Sequence, residues 1–393
     1  MRSQQAINSF LDNLVRPEVE ILRRHRPIYK VCVYAGVLSG VALVLVLALS
    51  AGVSLLLTAV TAFAAILTAL SVAMLTKILT GAEQYTYYHY EIAVLAVVAA
   101  LLSLGRKPLT PQLDLMVLAL GVADTLGRWG CLMAGCCHGR PHDWGVQYGL
   151  KHAAVGFDSH LVGIRLFPIQ IIESVAMFST VVVGCVLFLT RPPGSTFAWC
   201  IMTYGAVRFC LEFARGDRSR PFLLGFSEGQ WTSLIQMCAV VAAEATGRLP
   251  LTPWHAFLAP AIIMSAVGVA LVRRFGKTGK HGLLHPEHLK EFAEAVEKVS
   301  NLAAQRASSP RWNLMPANVH LETTSLGVQI SASQLASRTG FVYCYVLSRK
   351  DRKMTLDAAR TLARLIVMLK RYCGANEVVA GKEGTFHLLI QPK

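Results

Sequence analysis

Two stretches of the sequence put charge where an apolar helix should finish. Asp124 to Pro141 closes a long apolar run with Arg128, Arg140, three cysteines (Cys131, Cys136, Cys137), His138 and the glycines Gly127, Gly130, Gly135 and Gly139. A guanidinium at the edge of a hydrocarbon layer is costly unless it is paired or lines a polar cavity. Arg128 is therefore expected to face a pocket at membrane depth and to bind an anion there. The glycines permit close backbone approach and dihedrals that other residues avoid. In the second stretch Tyr204, Arg208, Glu212 and Arg215 recur at spacings of four and three, which sets them on one helical face. Such a stripe points into protein or a water-filled cavity, not at lipid. An Arg208–Glu212 pair that only neutralises itself is the plainer alternative, and it leaves Tyr204 and Arg215 unexplained. Arginine suits phosphate because its fork makes two parallel hydrogen bonds. Arg128, Arg140, Arg208 and Arg215, with Tyr204 and Glu212, can thus enclose one anionic headgroup.

The cysteines admit a second chemistry. A structural zinc site usually has paired ligands and a second pair at a distance, and Cys131, Cys136 and Cys137 have no such second pair. Adjacent cysteines seldom reach disulfide geometry without strain. Thiols beside an arginine could act as nucleophiles, but small packing residues next to a lipid pocket are the simpler expectation. No metal and no cofactor are expected. Cys32, Cys185, Cys200, Cys210 and Cys238 fall inside apolar segments, where cysteine behaves as a small hydrophobe.

The elements that must position these groups are membrane helices. The chain is 54% hydrophobic and 16% charged, well short of the roughly one quarter charged residues of a soluble domain. Residues 28–275 contain apolar runs at Ile28–Ser50, Leu55–Thr76, Ile92–Leu104, Leu113–Leu126, Phe167–Leu189, Ser195–Phe213, Gln230–Ala245 and Ala256–Val272. Most approach the ~20 residues a span needs, which predicts about seven or eight transmembrane helices. Residues 1–27 form a basic amphipathic segment suited to the membrane surface, and they lack the apolar stretch of a secretory signal. Residues 140–166 are long, polar and irregular, as expected of a folded loop over a site. Residues 276–393 change composition. Helices are predicted at His285–Arg306 and Leu356–Tyr372, and strands at Val319–Ile330, Gly340–Leu347 and Thr385–Ile390. The fold class is an all-α polytopic membrane protein with a small C-terminal α+β soluble domain. That domain shows no nucleotide loop, metal spacing or nucleophile–base pair, and its partner is not legible.

The net charge of +15 is scattered around apolar segments. It fits anionic membrane lipids and topology signals better than nucleic acid, so no nucleic-acid partner is expected. The tyrosines of Gln84 to Glu91 suit an interfacial aromatic belt, while His89 and Glu91 open the third run and are candidates for the site.

In order along the chain, four motifs resemble those of the prolipoprotein diacylglyceryl transferase family. Gly127-Arg128-Trp129-Gly130-Cys131 through Gly139 is similar to its signature G-R-x-G-N-F-x-N-G-E-x-x-G. Phe167-Pro168-Ile169-Gln170 through Glu173 is similar to H-P-x-Q-L-Y-E. Tyr204-Gly205 through Asp217 is similar to Y-G-x-x-R-F-x-x-E-x-x-R-x-D, and Gly225 to Gln230 follows G-x-S-x-G-Q. The resemblance implies a bacterial cytoplasmic (inner) membrane enzyme. It would move the diacylglyceryl group of phosphatidylglycerol onto the thiol of a prolipoprotein lipobox cysteine and release glycerol phosphate. It implies that Arg128 and Arg208 hold the phosphate, that Tyr204 and Glu212 orient them, and that Gly139 leaves room for lipid. Gly127, Gly130, Cys131, Cys136, Arg140, Gln170, Glu173 and Arg215 would complete the substrate-facing set.

Cys131 and Cys136 replace the family's asparagine and glutamate, and its His-Gly-Gly motif is absent. Tyr88 stands nearest that histidine's place, with His89, the general-base candidate, one residue off. Eight spans put both termini, Arg128 and Arg215 on one side. Charge counting makes that side cytoplasmic, whereas the resemblance implies a pocket facing the outer leaflet. Two other readings stay open: a non-catalytic phospholipid-binding anchor or assembly protein, and a cysteine-based redox or metal protein.

Overall fold

The computed structural model describes all residues except 1, 22, 82–85, 218–221, 276–281, 308–319, 338–339, 373 and 393. Gln84 and Tyr85 of the tyrosine-rich stretch, Arg218 and Arg220 of the basic loop, Lys277, Lys280 and Val319 lie outside the described residues.

Helix α1 (Arg2–Leu14) precedes a short hairpin of β1 (Glu18–Ile21) and β2 (Arg24–Pro27). The bundle follows: α2 (Ile28–Ser50), α3 (Leu55–Thr80), α4 (Tyr87–Leu104) and α5 (Thr110–Ala134). Next come β3 (Pro141–Gln147), the single turn α6 (Leu150–Ala153) and β4 (Arg165–Leu166), then α7 (Ile169–Thr190) and α8 (Ser195–Leu211). The small hairpin β5 (Phe222–Leu223) and β6 (Phe226–Ser227) leads into α9 (Glu228–Ala245) and α10 (His255–Phe275). Six described helices are long and apolar enough to cross a membrane, α2 to α5, α7 and α8 with its extension to Ala214. Helices α9 and α10 occupy the seventh and eighth expected positions. The apolar part of α10 is shorter, His255–Leu271, and α9 carries Gln230, Thr232, Ser233 and Gln236 among its apolar residues. The protein is a multi-pass membrane protein.

Helix α5 is central and the most buried of the six. It meets α2 closely: a Cβ on Gly40 would lie 2.7 Å from the Ala119 carbonyl oxygen. Small residues do this work in membranes, where lipid is as apolar as leucine and close packing must hold helices together. Around this contact Val44, Leu115, Leu118, Met202 and Met237 form the bundle core, while Leu56, Phe63 and Ile78 of α3 point outward, as lipid-facing residues do. Asp114 accepts from the backbone N–H groups of Gly194 and Phe197, both at 2.6 Å, and so caps α8.

The C-terminal region contains α11 (Pro286–Ala307), β7 (Glu322–Thr323), β8 (Val328–Ser337), β9 (Gly340–Arg349), α12 (Leu356–Lys370), β10 (Gly374–Ala380) and β11 (Phe386–Pro392). Its strands form an antiparallel sheet in the order β10-β11-β9-β8-β7. Phe292, Leu347, Leu362, Ile366 and Ile390 are buried in a core that runs on into Tyr148, Ile164 and Leu166 of the β3–β4 layer. Leu11 and Val15, at and just beyond the end of α1, are buried in that same core. Ile7 and Phe10 of α1 remain exposed, and its polar face grips β3, with Asn8 Oδ1 accepting from Gly145 N–H at 3.0 Å and Asp12 from Gln147 N–H at 2.9 Å.

Candidate functional site

The charged stripe and the glycine-rich motif meet at one end of the bundle, and Glu173 of α7 joins them. Its Oε1 accepts from Arg208 Nη1 at 2.6 Å, from the Tyr204 hydroxyl at 2.9 Å, and pairs with Arg128 Nη2 at 3.2 Å. Arg128 also pairs with Asp124, one turn back on α5, at 3.2 Å, and the Tyr204 hydroxyl lies 3.3 Å from that carboxylate. Arg208 pairs with Glu212 at 2.6 Å. Glu212 begins the 3-10 turn that ends α8. It also contacts Arg215 at 3.3 Å and accepts from the Ser227 hydroxyl at 2.9 Å. Arg215 forks onto Asp217 at 2.9 and 2.8 Å.

Nearly all of these side chains belong to buried residues, and that of Asp124 is only 8% exposed. Burying so many charges is tolerable only because each is paired and hydrogen-bonded. Three guanidiniums face four carboxylates, Asp124, Glu173, Glu212 and Asp217, in one continuous network. Glu173 Oε2 is buried without a hydrogen-bond partner among the described residues. The arginines are thus held in fixed orientations before any ligand arrives.

A sequence model of the prolipoprotein diacylglyceryl transferase family matches residues 25–246. The chain belongs to this family. It is similar to a phosphatidylglycerol–prolipoprotein diacylglyceryl transferase of Clostridium tetani, 33% identical over 109 residues, 27% of this chain and 41% of the relative. A second such transferase of Clostridium perfringens is 33% identical over 125 residues, 30% and 45% of the two chains. One from Dehalococcoides mccartyi is 29% identical over 132 residues, 33% and 48%. The chain spans less than half the length of these curated relatives.

Placed in this diacylglyceryl transferase frame, the remaining expected residues divide. Gln170 is buried, and its Nε2 donates to the Cys136 carbonyl at 2.8 Å. Arg140 Nε donates to the Arg215 carbonyl at 3.2 Å. Gly127 has open space where a side chain would begin, while Gly130 faces Tyr29 and Cys32 of α2. Gly139 does not leave room for lipid. A Cβ there would lie 2.5 Å from the Phe167 carbonyl oxygen, because Gly139 crosses Phe167 and bridges to Arg215. His89 pairs with Glu228 at 2.5 Å, and its side chain is 41% exposed; this contact lies outside the arginine network. Tyr88 faces inward instead. Its hydroxyl is 2.6 Å from Ser233 Oγ, and its ring lies 6.3 Å from that of Tyr204, with Tyr87 at 5.1 Å.

Sequence reasoning left Asp124, Asp217 and Ser227 outside the site. Asp124 carried a usable signal, since it stands four residues before Arg128 on the same helical face.

The cysteines do not behave as separate packing residues. Gly135, with φ of 86°, ends α5, and Cys137 takes a φ of 53°. The sulfurs of Cys131, Cys136 and Cys137 lie within 4.8 Å of one another. Hydrogen bonds from Cys131 and Cys136 hold the Cys137 thiol well below its ordinary range, against the cost of burial, and the guanidiniums of Arg215 and Arg128 add to this. Burial lowers the pKa of His138, which favours its neutral form.

Proposed function

We propose that this protein transfers the diacylglyceryl group of phosphatidylglycerol to the cysteine thiol of a prolipoprotein lipobox in the bacterial cytoplasmic membrane. The observation that carries the reading is the convergence of Arg128 and Arg208, from different helices, on Glu173 Oε1. A guanidinium has five N–H donors, more than the two carboxylate contacts each of these arginines makes, so donors remain for a phosphate. In the reaction the peptide sulfur attacks the glyceryl carbon, the carbon–oxygen bond breaks, and the electron pair leaves with glycerol phosphate. Preoriented guanidiniums stabilise that developing charge without reorganising at the moment of reaction. Tyr204 and Glu173 hold Arg208 and Arg128 in register, and Glu212 links Arg208 to Arg215. Residues 28–275 form the transferase unit in this reading, and residues 276–393 a unit resting on its β3–β4 layer.

Arg208→Ala should lower transfer by at least about 10²–10³-fold while the protein still inserts. The measurement is glycerol phosphate release from phosphatidylglycerol vesicles, alongside rescue of a conditional strain lacking its own transferase. Retained transfer would overturn the assignment. The pairing of His89, the general-base candidate, with Glu228 favours one other reading, a phospholipid-binding anchor without catalysis. That protein would bind phosphatidylglycerol through Arg128 and Arg208 and release no glycerol phosphate.

A further inference from the structure

Among the described residues, Cys131, Cys136 and Cys137 are the group of metal-capable side chains whose ligand atoms gather at one point. All three are free thiols. Thiolates on a tetrahedral zinc, with Zn–S of about 2.3 Å, stand roughly 3.8 Å apart, so small side-chain rotations separate the observed spacing from a bound one. Packing does not account for the arrangement. Cys131 is buried, yet Cys136 is exposed and Cys137 half-buried. Cys137 also takes a left-handed backbone conformation that costs energy in any residue with a side chain.

The turn is held from outside. Gly135 N–H donates to the Cys131 carbonyl at 2.9 Å, Gly216 N–H to that of His138 at 2.9 Å, and Gln170 to that of Cys136 at 2.8 Å. Such outer contacts fix the direction of metal ligands. Arg128 stands one turn before Cys131, and the backbone of Arg215 bridges to Gly139, which ties the cysteine turn to the arginine network.

We infer that Cys131, Cys136 and Cys137 form a three-thiolate site for one Zn²⁺ ion, whose open fourth position, on the Cys136 side, takes the sulfur of the peptide cysteine to be alkylated. The second half of this inference rests on the transferase reading. Three protein ligands with one open position is the pattern of reactive zinc sites, and a thiol that coordinates zinc is deprotonated outright. The peptide thiol gives its proton to water on coordination. Its sulfur then forms the S–C bond as the C–O bond to phosphate breaks, and glycerol phosphate leaves with the electron pair. No separate general base is needed, which fits a chain whose His89 pairs with Glu228 instead.

The test uses full-length protein purified under reductant in nanodiscs. Elemental analysis should find roughly one zinc per chain, lost in the triple variant Cys131→Ser/Cys136→Ser/Cys137→Ser and sharply weakened in Cys136→Ser, whose exposed position keeps folding out of question. Co²⁺ in place of zinc should give thiolate-to-cobalt absorption, and its visible bands should shift with a lipobox peptide carrying cysteine but not with its serine analogue. Wild-type protein without stoichiometric zinc, or a triple variant that keeps it, overturns the site. A cobalt spectrum indifferent to the cysteine peptide overturns the open position. Transfer is scored separately: metal binding without transfer defeats the transferase reading and leaves the zinc site standing, and transfer without metal does the reverse. Arg208→Ala should keep its zinc and lose transfer.

Discussion

The two buried regions of this protein are built on opposite terms. At the end of α5 and α8 the interior is ionic, with Glu173 fully enclosed between Arg128 and Arg208. In the C-terminal sheet domain Phe292, Leu347, Leu362, Ile366 and Ile390 are equally enclosed and wholly apolar. Water drives the second kind of core together. In a membrane that drive is weak between helices, so close small-residue contacts and polar pairs carry more of the specificity. A charged residue in the bundle therefore stands out against its surroundings, whereas in the C-terminal sheet region polar residues are the ordinary surface and mark nothing.

The sharpest way to break the comparison is to remove the central charge. Glu173→Gln leaves two buried guanidiniums without their shared partner. It should destabilise the bundle by about 3–5 kcal/mol and lower transfer by about 10²–10³-fold, read by thermal unfolding in detergent and by glycerol phosphate release. A stable, active variant would mean that Asp124 and Glu212 balance the arginines alone. On the apolar side, Phe292→Ala should cost about 3 kcal/mol with no electrostatic component. Because its core is continuous with Tyr148 and Ile164, hydrogen exchange should quicken in residues 141–166 as well as in the sheet. Loosening confined to the sheet would show that the two layers are independent.

These contrasts explain what could be read from the sequence. The apolar runs gave the positions of α2 to α5 and of α7 to α10, and the arginines were legible because they interrupt those runs. Glu173 was seen near the site, but its place between two arginines was not, because its partners come from helices far along the chain. The cysteine cluster depends on two left-handed residues, one of them Cys137, and a non-glycine residue gives no sequence signal of that conformation. In the C-terminal sheet region the helices were clear from their amphipathic pattern. Strand β10 was missed: its burial is slight and irregular. Pairing that inserts β11 between β9 and β10 is non-local and leaves no trace in periodicity.

A smaller effect separates the domains by pH. His288 is buried. Its Nδ1 lies 2.9 Å from the Leu283 carbonyl and its Nε2 3.0 Å from the Thr324 hydroxyl. Burial lowers its pKa, partly offset by the Leu283 bond and by Glu291, with Arg349 and His285 adding to the lowering. The unfolded chain then binds more protons than the folded one between the two pKa values, so stability rises with pH. The contribution is complete above the unfolded value of about 6.5 and is lost as pH falls through the lower folded value. Thermal unfolding of the C-terminal domain should therefore weaken on acidification in that window, and less so in His288→Gln. Equal pH sensitivity in that variant would move the effect to another group.

The smallest expected change is at the Arg165–Asp12 pair, which joins β4 to α1 by two contacts of 3.0 and 2.9 Å. It matches the Arg208–Glu173 pair in chemistry but not in setting, since its side chains are 19% and 29% exposed. Solvent screens the attraction, and ordering two long side chains offsets part of what remains, so Asp12→Ala should cost no more than about 1 kcal/mol. Asp12 also accepts from Gln147 N–H, yet that backbone group sits where water can replace the carboxylate. Leu11 and Val15 would still be buried, so α1 should stay docked, with slightly faster hydrogen exchange at residues 4–14 and unchanged transfer. Release of α1 on this single change would mean that ionic contacts, not the apolar core beneath them, hold the amino-terminal helix to the β3–β4 layer.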